Sequence, residues 1–133
     1  MKAILIDDEP LALVFLEYQL STIAPCQIVG KYTDPLLGMK AAENLDVDIV
    51  FLDIKIPGMN GMELAGHLLE RKPGLHVIFV TAYDEFAVQA FELNAIDYLL
   101  KPVQKERLIK TVQRLEQRIR DTSKSTASTG RWQ

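Results

Sequence analysis

The sequence predicts an α/β domain: a five-stranded parallel sheet, doubly wound, with five helices. Three observations carry that prediction. Short runs of Ile, Val, Leu and Phe recur at Ala3-Ile4-Leu5-Ile6, Gln27-Ile28-Val29, Ile49-Val50-Phe51-Leu52, Val77-Ile78-Phe79-Val80 and Tyr98-Leu99-Leu100, and continuous runs of this length suit strands buried on both faces. Longer segments with helical spacing separate them, as crossovers between parallel neighbours require. The 133 residues, 48% hydrophobic and 25% charged, suffice for one core but not for two ordinary domains.

The elements follow in order. The first run ends on Asp7-Asp8, and Glu9-Pro10 then places proline at the first turn of a helix expected over Leu11 to Ile23. After the second run, Asp34-Pro35 reads as a cap followed by proline, opening a helix from Pro35 to Leu45. The third run ends on Asp53. Pro57-Gly58 and Asn60-Gly61 punctuate a turn before a helix over Met62 to Arg71. The fourth ends on Thr81-Ala82, and Asp84-Glu85 places acid at the start of a helix from Glu85 to Leu93. The fifth ends on Lys101-Pro102. Leu108, Val112, Leu115 and Ile119, spaced four, three and four, then mark one face of the clearest helix. Right-handed crossovers put helices on both faces of such a sheet, and strand order 2-1-3-4-5, flavodoxin-like, is the expected arrangement. The domain is expected over residues 1–120. Residues 121–133, rich in Ser and Thr and low in apolar residues, read as a linker or disordered tail.

Composition removes several function classes. No stretch approaches the roughly 20 apolar residues that span a bilayer, and the N-terminal apolar run is too short for a signal peptide. A cytoplasmic address is the default expectation. The one cysteine, Cys26, excludes an intramolecular disulfide framework and a Cys-rich metal site. A net charge of −3 provides no basic face for nucleic acid. His67 and His76 are far apart and off the expected site edge.

In doubly wound sheets ligands bind beyond the carboxyl ends of the strands. Asp7, Asp8, Asp53, Thr81 and Lys101 all fall there. Each alone has a plainer explanation: a helix cap, a turn residue, a strand-end hydroxyl, a solvated ammonium. Together they converge on one edge. Three neighbouring carboxylates raise one another's pKa, and Mg²⁺ resolves that repulsion while leaving room for phosphate oxygens. Such a site suits phosphoryl transfer with Asp53 as nucleophile. Thr81 and Lys101 are positioned to hold the phosphoryl oxygens.

With those residues in view, the sequence resembles the receiver domain of bacterial two-component response regulators. The matches are Asp7-Asp8, Asp53 within Asp53-Ile54-Lys55-Ile56-Pro57-Gly58-Met59-Asn60-Gly61, Thr81-Ala82 and Lys101-Pro102, over about Lys2 to Arg120. The stretches Thr81 to Ala87 and Phe91 to Pro102 resemble the subfamily whose output is a LytTR DNA-binding domain. The resemblance implies a phosphoacceptor switch, not a turnover enzyme. A sensor histidine kinase would phosphorylate Asp53 with Mg²⁺ held by Asp8, Asp53 and the Lys55 carbonyl, and by Asp7 through water. Thr81 and Lys101 would hold the phosphoryl group, and Thr81 with Tyr98 would form the conformational switch. Lys55 and Tyr83 would tune the lifetime of the aspartyl phosphate, and Lys101-Pro102 would be cis. Apolar residues on several faces of the helix after Asp84 suggest a phosphorylation-dependent homodimer. DNA would be touched only through an output domain of roughly a hundred further residues, so the chain reads as an excised receiver or a single-domain regulator. No membrane partner is expected.

Two rival classes remain less well supported. A phosphohydrolase with an aspartyl nucleophile would resemble Asp-x-Asp-x-Thr, but Lys55 stands two residues after Asp53. A flavin or dinucleotide module would need a phosphate loop after the first strand, where Asp7-Asp8-Glu9 stands instead.

Overall fold

The apolar runs become five strands: β1 (Lys2–Ile6), β2 (Gln27–Tyr32), β3 (Ile49–Leu52), β4 (His76–Thr81) and β5 (Asp97–Leu100). The computed structural model describes residues 1–23, 26–56 and 59–132, without the side chains of 56, 59 and 122–132. All five strands pair in parallel, in the order β2-β1-β3-β4-β5. This is the expected order. It places β1 and β3 side by side at the centre, with β2 and β5 at the edges.

Five helices connect and follow the strands: α1 (Pro10–Ile23), α2 (Pro35–Asn44), α3 (Gly61–Arg71), α4 (Ala87–Glu92) and α5 (Lys105–Trp132). Side chains alternate across each strand, so the sheet feeds two cores. Ala3, Leu5, Phe51, Ile78 and Val80 pack with Leu13, Leu16 and Leu20 of α1 and Leu108, Val112 and Leu115 of α5. Ile4, Ile6, Val50, Leu52 and Phe79 pack on the other side with Ala42 of α2, Leu64 and Leu68 of α3 and Ala90 of α4. All four residues of β3 are buried, which explains its unbroken apolar run.

Side-chain caps open two of the helices. The Asp34 side chain accepts from the Leu36 N–H at 2.9 Å, with Pro35 opening α2. The Asn60 side chain accepts from the Met62 N–H at 2.8 Å and caps α3. The acid start expected for the fourth helix is different. Phe86 occupies the cap position of α4 without a side-chain bond, and Asp84 and Glu85 precede the helix. Asn94 follows α4 with φ 63°, the left-handed conformation that asparagine tolerates better than most residues. Between β3 and α3, Lys55–Ile56 and Met59–Asn60 form a small antiparallel pair where only a turn was expected. Pro57 and Gly58 lie outside the described residues.

The largest departure is at the C-terminal end. α5 continues to Trp132, through the Ser/Thr-rich stretch within 121–133 expected to be a linker or disordered tail. A nucleated helix gains one hydrogen bond per added residue, and Ser and Thr oppose this only weakly. Gln133 lies outside the described residues. Among the described residues no helix is long and apolar enough to cross a membrane.

Candidate functional site

The sheet ladder continues one residue beyond several strands and so fixes the backbone of the site. The Asp7 N–H donates to the Tyr32 carbonyl at 3.0 Å, the Asp53 N–H to Ile6 at 3.1 Å and the Lys101 N–H to Thr81 at 2.8 Å. Asp7, Asp53 and Lys101 are thereby anchored at the carboxyl edge. The Lys101–Pro102 peptide that follows is cis, as expected.

This anchoring gathers the acids. One carboxylate oxygen from each of Asp7, Asp8 and Asp53 lies within 4.8 Å of the others. Asp7 and Asp53 are buried, each only 6% exposed, and Asp8 is half-buried. The Lys101 Nζ stands 2.7 Å from Asp7 Oδ2, 3.1 Å from Asp53 Oδ2 and 3.6 Å from Glu9 Oε1. Asp7 Oδ1 accepts from the Glu9 N–H at 3.0 Å. Asp53 Oδ1 is buried and has no hydrogen-bond partner.

Electrostatics follow from this crowding. Burial pushes the Asp7 carboxyl above its ordinary value. The Lys101 ammonium and the Glu9 N–H only partly offset this, and the Asp53 charge adds to it. Burial alone would lower Lys101, but its bonds to Asp7 and Asp53 outweigh burial and raise it, so it is held as an ammonium. Lys101 pairs with Asp7, Asp53 and Glu9, and Asp8 adds a fourth carboxylate, which leaves a local excess of negative charge. The excess, the oxygen-only donor set and the orphaned Asp53 Oδ1 fit a hard divalent cation.

Thr81 lies at the same edge and is fully buried, but its Oγ1 accepts from the Tyr83 N–H at 3.4 Å. The Tyr98 hydroxyl donates to the Tyr83 carbonyl. One residue's backbone therefore engages both side chains expected to form the switch. The Tyr98 ring is half-buried, 6.2 Å from that of Phe79. Lys55 is exposed, with its Nζ 4.1 Å from the Tyr83 ring centroid and 4.0 Å from Glu85 Oε1. His76 begins β4, at the far end of that strand from Thr81, and His67 is on α3.

Two contributors escaped the sequence reading. In the sequence Glu9 marks a helix start and a third acid after the first strand, and nothing there points to its approach to Lys101. Gly61 was read as turn punctuation, yet a Cβ there would lie 2.3 Å from the Asp53 carbonyl oxygen and 2.7 Å from Ile54 Cα. Its N–H donates to the Ile54 carbonyl at 2.6 Å. Only glycine lets α3 start this close to the residue that follows β3.

Several known proteins are similar to this chain in sequence and fold. The family model of the response regulator receiver domain matches residues 3–113. A response regulatory protein of Vibrio vulnificus is 47% identical over 115 residues, covering 86% of this chain and 47% of that protein. The transcriptional regulatory protein BtsR of Escherichia coli is 42% identical over 118 residues, covering 88% and 48%. The chain spans about half the length of these curated relatives. The crystal structure of the response regulatory domain of mrkE from Klebsiella pneumoniae superposes with a TM-score of 0.82 at 40% identity, over 88% of this chain and 96% of that one. By the extent of the family match and the identity to these relatives, the chain belongs to the response regulator receiver domain family of two-component systems.

Proposed function

We propose that the chain is a phosphoacceptor switch that receives a phosphoryl group on Asp53 from a sensor histidine kinase. The observation that carries this reading is the state of the Asp53 carboxylate: one oxygen paired with Lys101, the other buried and unpartnered. A buried acceptor atom without a partner is costly, and such exceptions call for a functional explanation.

The site residues would divide the work. Asp8 and Asp53, with the Lys55 carbonyl and with Asp7 through water, would hold Mg²⁺. When bound, Mg²⁺ would supply positive charge against the phosphoryl oxygens. One Asp53 carboxylate oxygen attacks phosphorus in line with the donor. The phosphorus–nitrogen bond of the kinase phosphohistidine breaks, and its electron pair returns to the imidazole nitrogen, which solvent protonates. Lys101 is already paired with Asp53 and turns to a phosphoryl oxygen as negative charge accumulates there. Thr81 donates its hydroxyl to another and moves toward the phosphoryl group to do so, which stretches and releases the 3.4 Å bond its oxygen accepts from the Tyr83 N–H. That N–H and the Tyr83 carbonyl belong to one residue, so release of Thr81 disturbs the carbonyl holding Tyr98. A covalent charge on Asp53 is thus passed to β5 through two side chains and one backbone. The domain hydrolyses its own aspartyl phosphate slowly, and Lys55 and Tyr83, packed together beside the site, set that lifetime.

The remaining parts of the reading concern the rest of the protein. The chain resembles LytTR-type receivers at Thr81–Ala87 and Phe91–Pro102, and BtsR is a transcriptional regulatory protein. The output is therefore read as transcription through a LytTR DNA-binding domain outside this chain. Val88 and Phe91 of α4 and Leu100 of β5 are exposed and support a homodimer formed on phosphorylation. The receiver proper is assigned to residues 1–120, and 121–133 to a linker, here helical up to Trp132.

The test is labelling by a small acyl phosphate, read by intact mass. The parent chain should gain one phosphoryl group in the presence of Mg²⁺ and lose the reaction on chelation. Asp53→Asn should gain none. Undiminished labelling of a folded Asp53→Asn chain would overturn the assignment.

A further inference from the structure

An open groove of about 560 Å³ lies between α3 and α4. Met62, Gly66 and Leu93 form its apolar floor, and Glu63 and Glu70 of α3 and Glu92 of α4 are exposed around it. Apart from His67 the lining holds no basic side chain. None of these three glutamate side chains has an ion pair or hydrogen bond among the described residues. Elsewhere Glu17, Glu43 and Glu85 pair with Lys31, Arg71 and Lys55. The groove therefore presents uncompensated negative charge beside an apolar floor.

Gly66 is a second, separate observation. It lies inside α3, where glycine is less stable than alanine. The chain's own packing does not call for it. Among the described residues a Cβ at Gly66 would meet only Leu93 Cδ2, at an ordinary 3.9 Å. At Gly38 and Gly61 a Cβ would instead run into Ile6 at 2.7 Å and the Asp53 carbonyl oxygen at 2.3 Å. The bare backbone at 66 thus suits a close approach from outside the chain. Glu63 and Glu70 stand three residues before and four after it, about one turn to either side on the same face. A second helix lying along α3 repeats with that same pitch. A small cation would meet the charge but would have no use for the missing side chain.

We infer that the groove docks a basic amphipathic helix of a partner protein. One apolar side chain sits over Gly66, between Met62 and Leu93, and Lys or Arg one turn to either side pairs with Glu63 and Glu70. Glu92 faces a further basic residue from the α4 side. The groove is apart from the phosphoacceptor edge, and binding is read without a phosphodonor, so its failure would leave that reading intact.

The test uses two alanine-based helical peptides of about 16 residues on the ¹⁵N-labelled chain, followed by amide shifts. One carries Lys, Leu and Arg at successive four-residue intervals, and the other carries Glu in place of Lys and Arg. The basic peptide should give saturable shifts centred on Gly66 and Leu93, with an affinity that falls as salt rises. The acidic peptide should give none. Gly66→Ala, for which α3 has room, should lower the affinity about tenfold by crowding the occupant, while its urea midpoint holds or rises. Glu63→Gln with Glu70→Gln should lower it about fivefold. No saturable shift up to about 1 mM, the weak end of specific binding, would overturn the site. So would equal binding of the acidic peptide, shifts centred on Asp7, Asp8 and Asp53, or undiminished affinity in either folded variant.

Discussion

Gly61 shows how tightly the acceptor residue is enclosed. A Cβ at 2.3 Å from the Asp53 carbonyl oxygen and 2.9 Å from that of Ile54 meets backbone atoms, which cannot swing aside as a side chain would. Gly61→Ala must move either the start of α3 or the end of β3. Overpacking of this kind costs about 1–3 kcal/mol, so the urea midpoint should fall accordingly. Labelling of Asp53 should slow with it, because its backbone is the part displaced. Unchanged stability and labelling would show that the loop relaxes freely. The residues bearing charge were legible in the sequence because strand ends can be located from apolar runs alone. The need for glycine at 61 was not, since it arises from the approach of two segments that only the folded chain brings together.

At the level of elements, the last strand and last helix are joined by one buried carboxylate. Asp97, at the start of β5 and 3% exposed, accepts from Arg107 at 2.6 and 2.7 Å and from Thr111 at 2.8 Å, both on α5, with Arg114 at 3.3 Å. Burial alone would raise the Asp97 carboxyl. The bonds from Arg107, Thr111 and the Tyr98 N–H, with the charge of Arg107, outweigh it and hold the carboxyl below its ordinary 3.8. A carboxylate depressed in the folded state adds stability above its unfolded pKa, which is lost as pH falls through the folded value. The parent chain should therefore lose stability as pH drops below about 4. Asp97→Asn should lose about 1.5–3 kcal/mol at neutral pH, the worth of hydrogen bonds to a charged group, and should show a shallower acid slope. Denaturant titrations at several pH values measure both, and parallel pH profiles for the two chains would refute the role given to Asp97. The helical period and the apolar run made α5 and β5 readable separately. Their ionic tie was not readable, because residues 97 and 107 become neighbours only once strand and helix are packed.

For the whole molecule, strand order and both cores follow from a pattern the sequence displays openly, unbroken apolar runs alternating with helical spacing. What the pattern misjudged was extent. Composition placed the end of ordered structure near Arg120, but α5 runs on to Trp132. Composition reports what a segment can bury, whereas a helix already anchored by Leu108, Val112 and Leu115 can propagate through a stretch of low apolar content. Continuity of the helix and membership of the fold are therefore separate matters, and a truncation distinguishes them. Among the described residues, every side chain of both cores lies at or before Leu115, and Arg107, Thr111 and Arg114, which hold Asp97, also precede residue 120. Removing residues 121–133 should thus change the unfolding free energy by no more than about 0.5 kcal/mol, as for substitutions away from packed or buried polar groups. Asp53 should label at the parent rate. Far-ultraviolet circular dichroism should still fall by roughly the dozen or so helical residues removed. A loss of several kcal/mol, or labelling that fails in the shortened chain, would place the C-terminal turns of α5 within the receiver and move its boundary beyond residue 120.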